Sequence, residues 1–407
     1  MATHRTLSCP PAPDPELGLT RAQPLRLDLA LPDQLPHRPG VLLMIPGFGQ
    51  DNDDGYLHAF RAWAADTHNR LALTVGYHGS RNRPAAGAAF QFAQDDAARL
   101  YLACQQHHIP WPQPPATPDP NALMAALDAA TKQNPPDQPL TLSVGLLPPD
   151  GPVNLGFLQA LDHLHALTAL RQHIDIDPAD VVALGSSHGG YLAQLCAKLA
   201  PCTFRAVLDN SGYAQLPVRY LDSRGDGQPD CYVGVNPHFR LAGYVASAWS
   251  LLAEPDAPNH LHADALALRD LAHPDHLTAT RAAAGDRPAV FRCVHAPADA
   301  IAPTADKQAW FAAARDAGFD ADLHLATPDD VDGAYIKSLD HGLGLSLRRF
   351  LSRHLSDLPP LPDTSTTPYA DDAAHETTLD FAGPTRVYRV RHHADRSPTV
   401  TVDLKRS

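Results

Sequence analysis

The sequence is poor in cysteine, methionine and tryptophan, and these shortages exclude several classes of site. Its 407 residues include six cysteines, three methionines and four tryptophans. No two cysteines form a C-x-x-C pair, which argues against a zinc knuckle and against a thioredoxin-like redox site. Cys196 and Cys293 fall in predicted regular elements, where a free cysteine behaves as a small buried hydrophobic residue.

Long apolar runs and clusters of basic residues are also missing. No apolar stretch reaches the roughly 18 residues of a transmembrane helix, and the first residues lack the apolar segment of a secretory signal. The 32 Lys and Arg residues are scattered among 45 Asp and Glu residues, which gives a net charge of -13. An acidic surface disfavours nucleic acid and anionic membranes as partners. We therefore predict a cytoplasmic protein that binds neither.

What is present is a regular alternation of short apolar runs with amphipathic segments. Strands are predicted at residues 25–31, 41–46, 71–77, 180–184, 204–209, 288–296 and 320–326. Helices are predicted at residues 55–68, 89–106, 121–132, 154–170, 188–200, 262–272, 303–318 and 343–354. Strands that alternate with helices favour a mostly parallel sheet with helices on both faces.

Breaks in this alternation suggest how the chain is divided. Proline interrupts residues 109–140, which we interpret as a surface excursion. After residue 356 the composition changes to Pro, Asp, Ser and Thr before alternating apolar runs return. The predicted parts are an N-terminal extension (1–24), the first part of the core (25–211), a cap or lid insertion (212–287), the second part of the core (288–355), and a linker with a small C-terminal β appendage (356–407).

The most informative motif is G-x-S-x-G, formed by Gly185, Ser187 and Gly189 between a predicted strand and a predicted helix. A serine at such a turn is exposed as a nucleophile, and glycine on either side lets the strand and the helix approach closely. The helix N-terminus also favours a developing oxyanion. The alternative is an ordinary glycine-rich turn that binds a phosphate or nothing. The context favours a nucleophile elbow at Ser187 and hence the α/β-hydrolase fold.

A serine nucleophile needs a base and an acid, which follow it in the chain in the order acid, then His, in this fold. Asp299 follows a predicted strand, and His341 lies just before the last predicted core helix. We predict His341 as the general base and Asp299 as the acid that orients it. Asp209 is a rival acid at the end of another strand, and Asp340 is interpreted as a loop cap.

An oxyanion hole requires two N–H donors that point at the tetrahedral oxygen. The residue after the nucleophile, His188, is predicted to supply one. Phe48 is predicted to supply the other, because its P-G-F-G loop follows a buried strand and its small residues allow close approach. A plain tight turn is the alternative for this loop.

Several residues after core strands are candidates for binding substrate. They are Tyr77, His78, Arg81, Asn210 and Tyr213. Arg81, or Arg83 beside it, is suited to a carboxylate or a sugar group, although a solvated loop is an equal alternative. Residues 222–232 superficially resemble a calcium loop but place Arg224 at a ligand position and lack the bidentate Glu. No metal and no cofactor are predicted.

Four segments together resemble an uncharacterised bacterial family of α/β-hydrolase-like proteins of about this length. They are GSSHGGYLAQLCAKLAP, AVLDNSGYA, GFDADLHL and IKSLDHGLGLS. The family carries a domain-of-unknown-function label, is sometimes encoded near flagellar or surface-glycan genes, and implies no substrate. The resemblance covers about residues 25–355. The elbow G-S-S-H-G-G-Y also resembles that of prolyl oligopeptidases and acylaminoacyl peptidases, but the chain has no segment with propeller repeats.

These observations predict a serine hydrolase that cleaves a carboxylic ester through an acyl-enzyme. The expected partner is a small-molecule or glycan ester, such as an O-acyl group on a carbohydrate or metabolite. Two alternatives stay open: an amidase or peptidase of the acylaminoacyl-peptidase type, and a non-catalytic binding protein on the same fold. The sequence does not indicate the oligomeric state.

Overall fold

A computed structural model describes residues 1–50, 54–91, 101–102, 104–106, 108, 120–221, 228–250, 257–361, 369 and 371–405. The strands are β1 (Thr3–Cys9), β2 (Leu25–Leu31), β3 (Val41–Ile45), β4 (Leu71–Gly76), β5 (Ala89–Gln91), β6 (Leu140–Leu147), β7 (Val181–Ser186), β8 (Ala206–Asn210), β9 (Cys231–Asn236), β10 (Phe239–Val245), β11 (Val290–His295), β12 (Ala321–Leu325), β13 (Thr377–Ala382), β14 (Arg386–His393) and β15 (Arg396–Leu404). The helices are α1 (Gly55–His68), α2 (Pro120–Gln133), α3 (Phe157–Arg171), α4 (His188–Leu199), α5 (Ala263–Arg269), α6 (Pro274–Ala283), α7 (Thr304–Asp316) and α8 (Leu347–Ser356).

Eight strands form the main sheet, in the order β1-β2-β4-β3-β7-β8-β11-β12. Six neighbouring strands of this sheet run parallel to one another: β4, β3, β7, β8, β11 and β12. β2 and β1 complete one edge in antiparallel pairing. The carboxyl ends of the six parallel strands therefore share one edge of the sheet, where ligands bind in open α/β sheets. The predicted mostly parallel sheet is confirmed.

Apolar residues cover both faces of this sheet, as the continuous apolar strand VLLMI predicts. In β3, Leu43 belongs to the core that includes α3, α4 and α7, whereas Leu42 and Met44 belong to the core on the other face. Phe60 of α1 and Phe350 of α8 pack into that second core. Successive strand residues point to opposite faces, so the alternation along β3 divides it between two helical layers.

The first residues add a strand to the main sheet. β1 pairs with β2 in register from Thr3↔Leu31 to Cys9↔Leu25. The segment predicted as an N-terminal extension thus contributes an edge strand. Most of its side chains are exposed, so no apolar run marks it in the sequence.

A second sheet, in the order β5-β6-β10-β9, joins the segment after the proline-rich excursion to the predicted cap. β6 follows the excursion, β9 and β10 lie in the cap segment, and β10 pairs parallel with β6. The helix predicted at 121–132 is confirmed as α2, but the helix predicted at 89–106 is wrong at its start, where β5 forms instead. Most of the remainder of that prediction, and most of the calcium-like loop, lies outside the described residues.

The predicted C-terminal β appendage is a three-stranded antiparallel sheet, β13-β14-β15, that packs onto the core. Phe381 and Tyr388 are buried in the main core, and the Tyr388 ring meets Phe157 of α3 edge-on at 5.7 Å. The Tyr388 hydroxyl also donates to Glu16, which pairs with Arg269 of α5 at 2.5 Å. N-terminal, cap and C-terminal segments therefore meet at one buried ion pair.

Candidate active site

The strand-to-helix turn from β7 to α4 holds Ser187 in a conformation that side chains rarely adopt. Its backbone has φ 55° and ψ −123°, in the positive-φ region where a non-glycine residue is strained. A methyl group at Gly185 would overlap the carbonyl of Gly189, and one at Gly189 would overlap the carbonyl of Ile45. The glycines of the motif are thus required by close contacts between backbone segments, as the nucleophile-elbow interpretation predicts.

Replacing Gly189 by Ala should therefore displace α4 from the loop after β3. We expect a loss of stability of about 1–3 kcal/mol, the usual cost of overpacking, together with slower reaction of Ser187 with a serine-directed probe. Chemical denaturation and labelling rates measure the two effects. Gly234→Ala is the matched control, because a methyl group there meets no atom within 4 Å. Equal behaviour of the two variants would contradict the steric argument.

Three side chains from separate loops form a hydrogen-bonded chain at the carboxyl edge of the sheet. The Ser187 hydroxyl oxygen lies 2.7 Å from His341 Nε2, and His341 Nδ1 lies 2.7 Å from Asp299 Oδ2. The serine hydroxyl can donate to Nε2 while Nδ1–H donates to the carboxylate. This is the geometry in which His acts as a general base and Asp fixes its tautomer. The structure brings the three residues together as the sequence predicts.

The Asp299 side chain is buried, and its carboxylate accepts several hydrogen bonds. Its Oδ1 accepts the backbone N–H groups of Ile301 and Ala302 at 2.8 and 2.9 Å. Burial acts to raise the pKa of Asp299, but the hydrogen bond from His341 and these backbone donors outweigh it, so the pKa lies below its ordinary value. The carboxylate therefore stays ionised throughout the range in which an imidazole ordinarily titrates.

The rival acid Asp209 is engaged elsewhere. Its Oδ2 accepts from Lys307 Nζ at 2.7 Å and from Gln194 Nε2 at 2.9 Å, and its Oδ1 accepts the N–H of Gly212 at 2.8 Å. A methyl group on Gly190, in the first turn of α4, would overlap Oδ1. Asp209 thus forms a buried ion pair that supports the elbow helix instead of orienting His341.

Asn210 links the elbow to the loop of the base. Its carbonyl accepts the Ser187 N–H at 2.7 Å, and its amide donates to Ser186 Oγ at 3.0 Å and to the Gly342 carbonyl at 3.3 Å. The side chain is 3% exposed. Both amide contacts are internal, so the position of Asn210 suits a residue that holds His341 near Ser187, and substrate binding by it remains a prediction.

The two predicted oxyanion donors lie beside the nucleophile. His188 is the first residue of α4, its ring is buried, and its Nε2 lies 2.7 Å from Gln159 Oε1. Burial lowers the pKa of His188 to about 3, so the ring is neutral and donates to Gln159. The Phe48 ring meets it edge-on at 5.7 Å. First-turn N–H groups of a helix lack intrahelical acceptors, and no described residue accepts the His188 N–H, so its position suits an oxyanion donor.

The loop after β3 touches the nucleophile directly. A methyl group on Gly47 would lie 3.6 Å from Ser187 Cβ. The Gly47 N–H donates to Gln50 Oε1 at 3.2 Å, whereas the described part of the chain offers the Phe48 N–H no acceptor. The contact is consistent with Phe48 as the second donor, which stays a prediction.

One family model matches residues 3–395 of the sequence. The chain belongs to DUF2920. The description of DUF2920 is a protein of unknown function, so membership brings no activity. The match confirms the resemblance to an uncharacterised family and extends it beyond residues 25–355 into β1 and the C-terminal sheet.

No curated protein matches the sequence, but solved structures resemble the DUF2920 fold at low identity. A Bacteroides ovatus protein described as a dipeptidyl aminopeptidase IV is 11% identical, with a TM-score of 0.48 over 88% of this chain and 35% of that one. Pyrococcus horikoshii acylaminoacyl peptidase is 11% identical, with a TM-score of 0.45 over 89% and 43%. Brefeldin A esterase, a bacterial homologue of human hormone-sensitive lipase, is 14% identical, with a TM-score of 0.42 over 88% and 74%. The DUF2920 chain thus spans less than half of the two peptidase chains.

The DUF2920 chain buries four of the five predicted substrate-binding residues, among them Tyr77 and His78. Tyr77 packs against the His163 ring at 4.9 Å. His78 is fully buried, its Nδ1–H donates to Asp150 Oδ2 at 3.0 Å, and its Nε2 accepts the Asn154 N–H at 3.0 Å. Both ring nitrogens are engaged in the fold. His78 cross-links loops in this structure, and a direct contact with substrate remains a prediction.

Arg81 and Tyr213 lie in different surroundings. Arg81 is exposed and lines a cavity of about 210 Å³ together with Arg21 and Arg26. Tyr213 is buried and packs 5.6 Å from the half-buried Tyr220, whose ring is 6.0 Å from Phe48. Sequence reasoning missed Tyr220, because no motif marks it; its contact with Phe48 places it beside the elbow.

Two kinds of feature are absent from the described residues. Among them, no group of three or more His, Cys, Asp or Glu side chains could hold a metal ion. In the same residues, no helix has both the length and the hydropathy that crossing a bilayer requires.

Proposed function

We propose that this chain is a serine hydrolase that cleaves a carboxylic ester of a small molecule or glycan through an acyl-enzyme. The observation that carries the proposal is the pair of 2.7 Å contacts that join Ser187, His341 and Asp299. Two loops and a strained elbow are required to hold these atoms together, and strain of this kind is concentrated at functional sites.

In the proposed mechanism, His341 Nε2 takes the proton of Ser187 as the hydroxyl oxygen attacks the ester carbonyl. The N–H groups of His188 and Phe48 hold the oxyanion, and Asp299 stabilises the imidazolium. His341 then protonates the leaving alcohol, which departs as the acyl-enzyme forms. Water repeats these steps and releases the acid and free Ser187. Every proton in this sequence passes through His341.

Labelling with a fluorophosphonate tests the nucleophile and its base. We expect the wild-type protein to be labelled, Ser187→Ala to remain unlabelled, and His341→Ala to react far more slowly. Ser186→Ala is the matched control, because Ser186 Oγ accepts from Asn210 and does not contact His341; it should keep most of the labelling. Intact-mass measurement of the adduct counts one site per chain.

The contrary result is a folded wild-type protein that the probe does not label. It would favour a non-catalytic binding protein on this fold. If Ser187 is labelled, matched 4-nitrophenyl esters and 4-nitroanilides separate an esterase from an amidase or peptidase, because only the latter would cleave the anilides at comparable rates.

A further inference from the structure

Arg83 lies against the loop that carries the predicted oxyanion donor. Its guanidinium carbon is 5.2 Å from the centre of the Phe48 ring. A methyl group on Gly49 would come 2.7 Å from Nη2 and 2.8 Å from Cζ, so the guanidinium covers the face of this residue. Gly49 also has φ 89°. The backbone angle favours glycine at this position, and the absence of a side chain lets the guanidinium lie directly against the loop.

The acceptors around this cation are all neutral. Nη1 donates to Asn82 Oδ1 at 2.8 Å, and Nη2 donates to the Asp230 carbonyl at 3.1 Å. Within the described ranges, no carboxylate forms an ion pair with Arg83, and its Nε–H has no acceptor. A half-buried guanidinium without a counter-charge is costly, because burial disfavours an unpaired charge.

Two arginines of this chain with buried side chains pair with carboxylates. Arg269 contacts Glu16 at 2.5 Å, and Arg21 contacts Asp162 at 2.6 Å. Arg83 departs from this pattern at a position next to the candidate active site. Among the described residues, no carboxylate supplies its counter-charge, so the guanidinium can still pair with an anion.

The distance to the nucleophile suits a short substrate. Gly47 lies against Ser187, since a methyl group on Gly47 would be 3.6 Å from Ser187 Cβ. Gly49 follows two residues later, and two residues span at most about 7 Å. The rings of Phe48 and Tyr220, 6.0 Å apart, supply apolar surface beside this path. A substrate that extends from Ser187 along this loop would therefore approach the guanidinium.

We propose that Arg83 binds a carboxylate of the substrate, so that this enzyme prefers esters that carry a second, ionised carboxyl group a few carbons from the scissile bond. Arginine suits this task, since its planar fork matches the two oxygens of a carboxylate. The proposal rests on the proposed ester hydrolysis and adds the substrate class to it.

Matched esters test the proposal on the full-length protein. Mono-4-nitrophenyl glutarate carries the carboxylate on a five-carbon acyl chain, and 4-nitrophenyl valerate is its neutral counterpart. We expect kcat/KM to favour the glutarate by about 10-fold to 100-fold, the range of one hydrogen-bonded charge contact. Arg83→Gln should remove this preference, chiefly by raising KM for the glutarate, and Arg83→Lys should restore part of it.

Arg240→Gln is the control. Arg240 also lies over an aromatic ring, that of Tyr232 at 4.5 Å, but it belongs to the second sheet. It should keep the preference. If Arg83 had only a structural role, its replacement would lower kcat/KM for both esters equally, and that result would overturn the proposal. Absence of a preference for the charged ester in the wild-type protein, both in this pair and in a pair with the carboxylate on the leaving group, would do the same, even if Arg83→Gln failed to fold.

A second pair of esters locates the carboxylate. 4-Acetoxybenzoate carries the carboxylate on the leaving group, and methyl 4-acetoxybenzoate is its neutral counterpart. An Arg83-dependent preference in either pair supports the proposal and assigns the carboxylate to the acyl or the leaving side.

Failure of the ester hypothesis is distinguishable from failure of this one. If neither ester is cleaved while the fluorophosphonate labels Ser187, protection against labelling decides the matter. Glutaramate should protect more strongly than neutral glutaramide, and Arg83→Gln should abolish the difference. Equal protection by the two compounds overturns carboxylate binding whatever the reaction catalysed.

Discussion

Asp299→Asn should lower kcat for ester cleavage by about 10⁴-fold, the cost of losing the orienting acid in a Ser-His-Asp triad. The amide nitrogen of Asn can donate to His341 Nδ1 and so favours the tautomer that carries its proton on Nε2. That tautomer cannot accept the proton of the Ser187 hydroxyl, whose oxygen lies 2.7 Å from Nε2. The fold should tolerate the change, because the Asn oxygen can still accept the Ile301 and Ala302 N–H groups. Steady-state kinetics and a denaturation curve measure both effects.

Asp340→Asn provides the comparison one residue before His341. The Asp340 carbonyl accepts the Leu343 N–H in a turn, and its side chain is exposed, so kcat should stay within about twofold. A larger loss at Asp340 than at Asp299 would reassign the orienting acid. Geometry already excludes the rival Asp209 as the orienting acid, because its Oδ2 accepts hydrogen bonds from Lys307 and Gln194.

The Asp299 carboxylate also contributes a pH signature. Because its pKa is lower in the folded protein than in the unfolded chain, its stabilising effect is complete above the unfolded value of about 3.9 and is lost as pH falls through the folded value. Loss of activity between pH 5 and 7 therefore cannot come from protonation of Asp299.

The triad could be predicted from the sequence because its signals are local. Gly185, Ser187 and Gly189 form a short motif, and the strand and helix around it are long enough to identify by apolar pattern. Asp299 and His341 then follow from chain order and from their positions after a strand and before a helix. What the sequence left open was the choice between Asp299 and Asp209, which depends on Lys307, a residue almost 100 positions from Asp209.

The second sheet could not be predicted because its pairing is not local. β6 and β10 join residues such as Leu142 and Leu241 across a long stretch of chain. Each strand alone is a short apolar run in a proline-rich or irregular context. Edge strand β1 was missed for a different reason: its exposed side chains follow no apolar alternation. Arg83 was a candidate for a carboxylate or a sugar group from its loop position, but the choice between Arg81 and Arg83 depends on their surroundings, which only the structure shows.

Loss of the Lys307 ammonium should strongly destabilise the fold. This side chain is fully buried and its ammonium donates to Asp209 at 2.7 Å and to the Tyr213 carbonyl at 3.2 Å. Lys307→Met should cost about 3–5 kcal/mol of unfolding free energy, because it leaves the Asp209 carboxylate buried without its counter-charge. Urea denaturation at neutral pH measures the loss.

The double variant Asp209→Asn/Lys307→Met separates an unpaired charge from lost packing. It removes both charges, so it should recover most of the stability that the single variant loses. Lys132→Met is the control on α2, where the ion pair with Asp128 is exposed at 2.7 Å, and it should have little effect. If the double variant were as unstable as the single one, packing around the Lys307 stem would explain the loss, and the ion pair would not be what holds Gly190 and the start of α4 beneath the nucleophile.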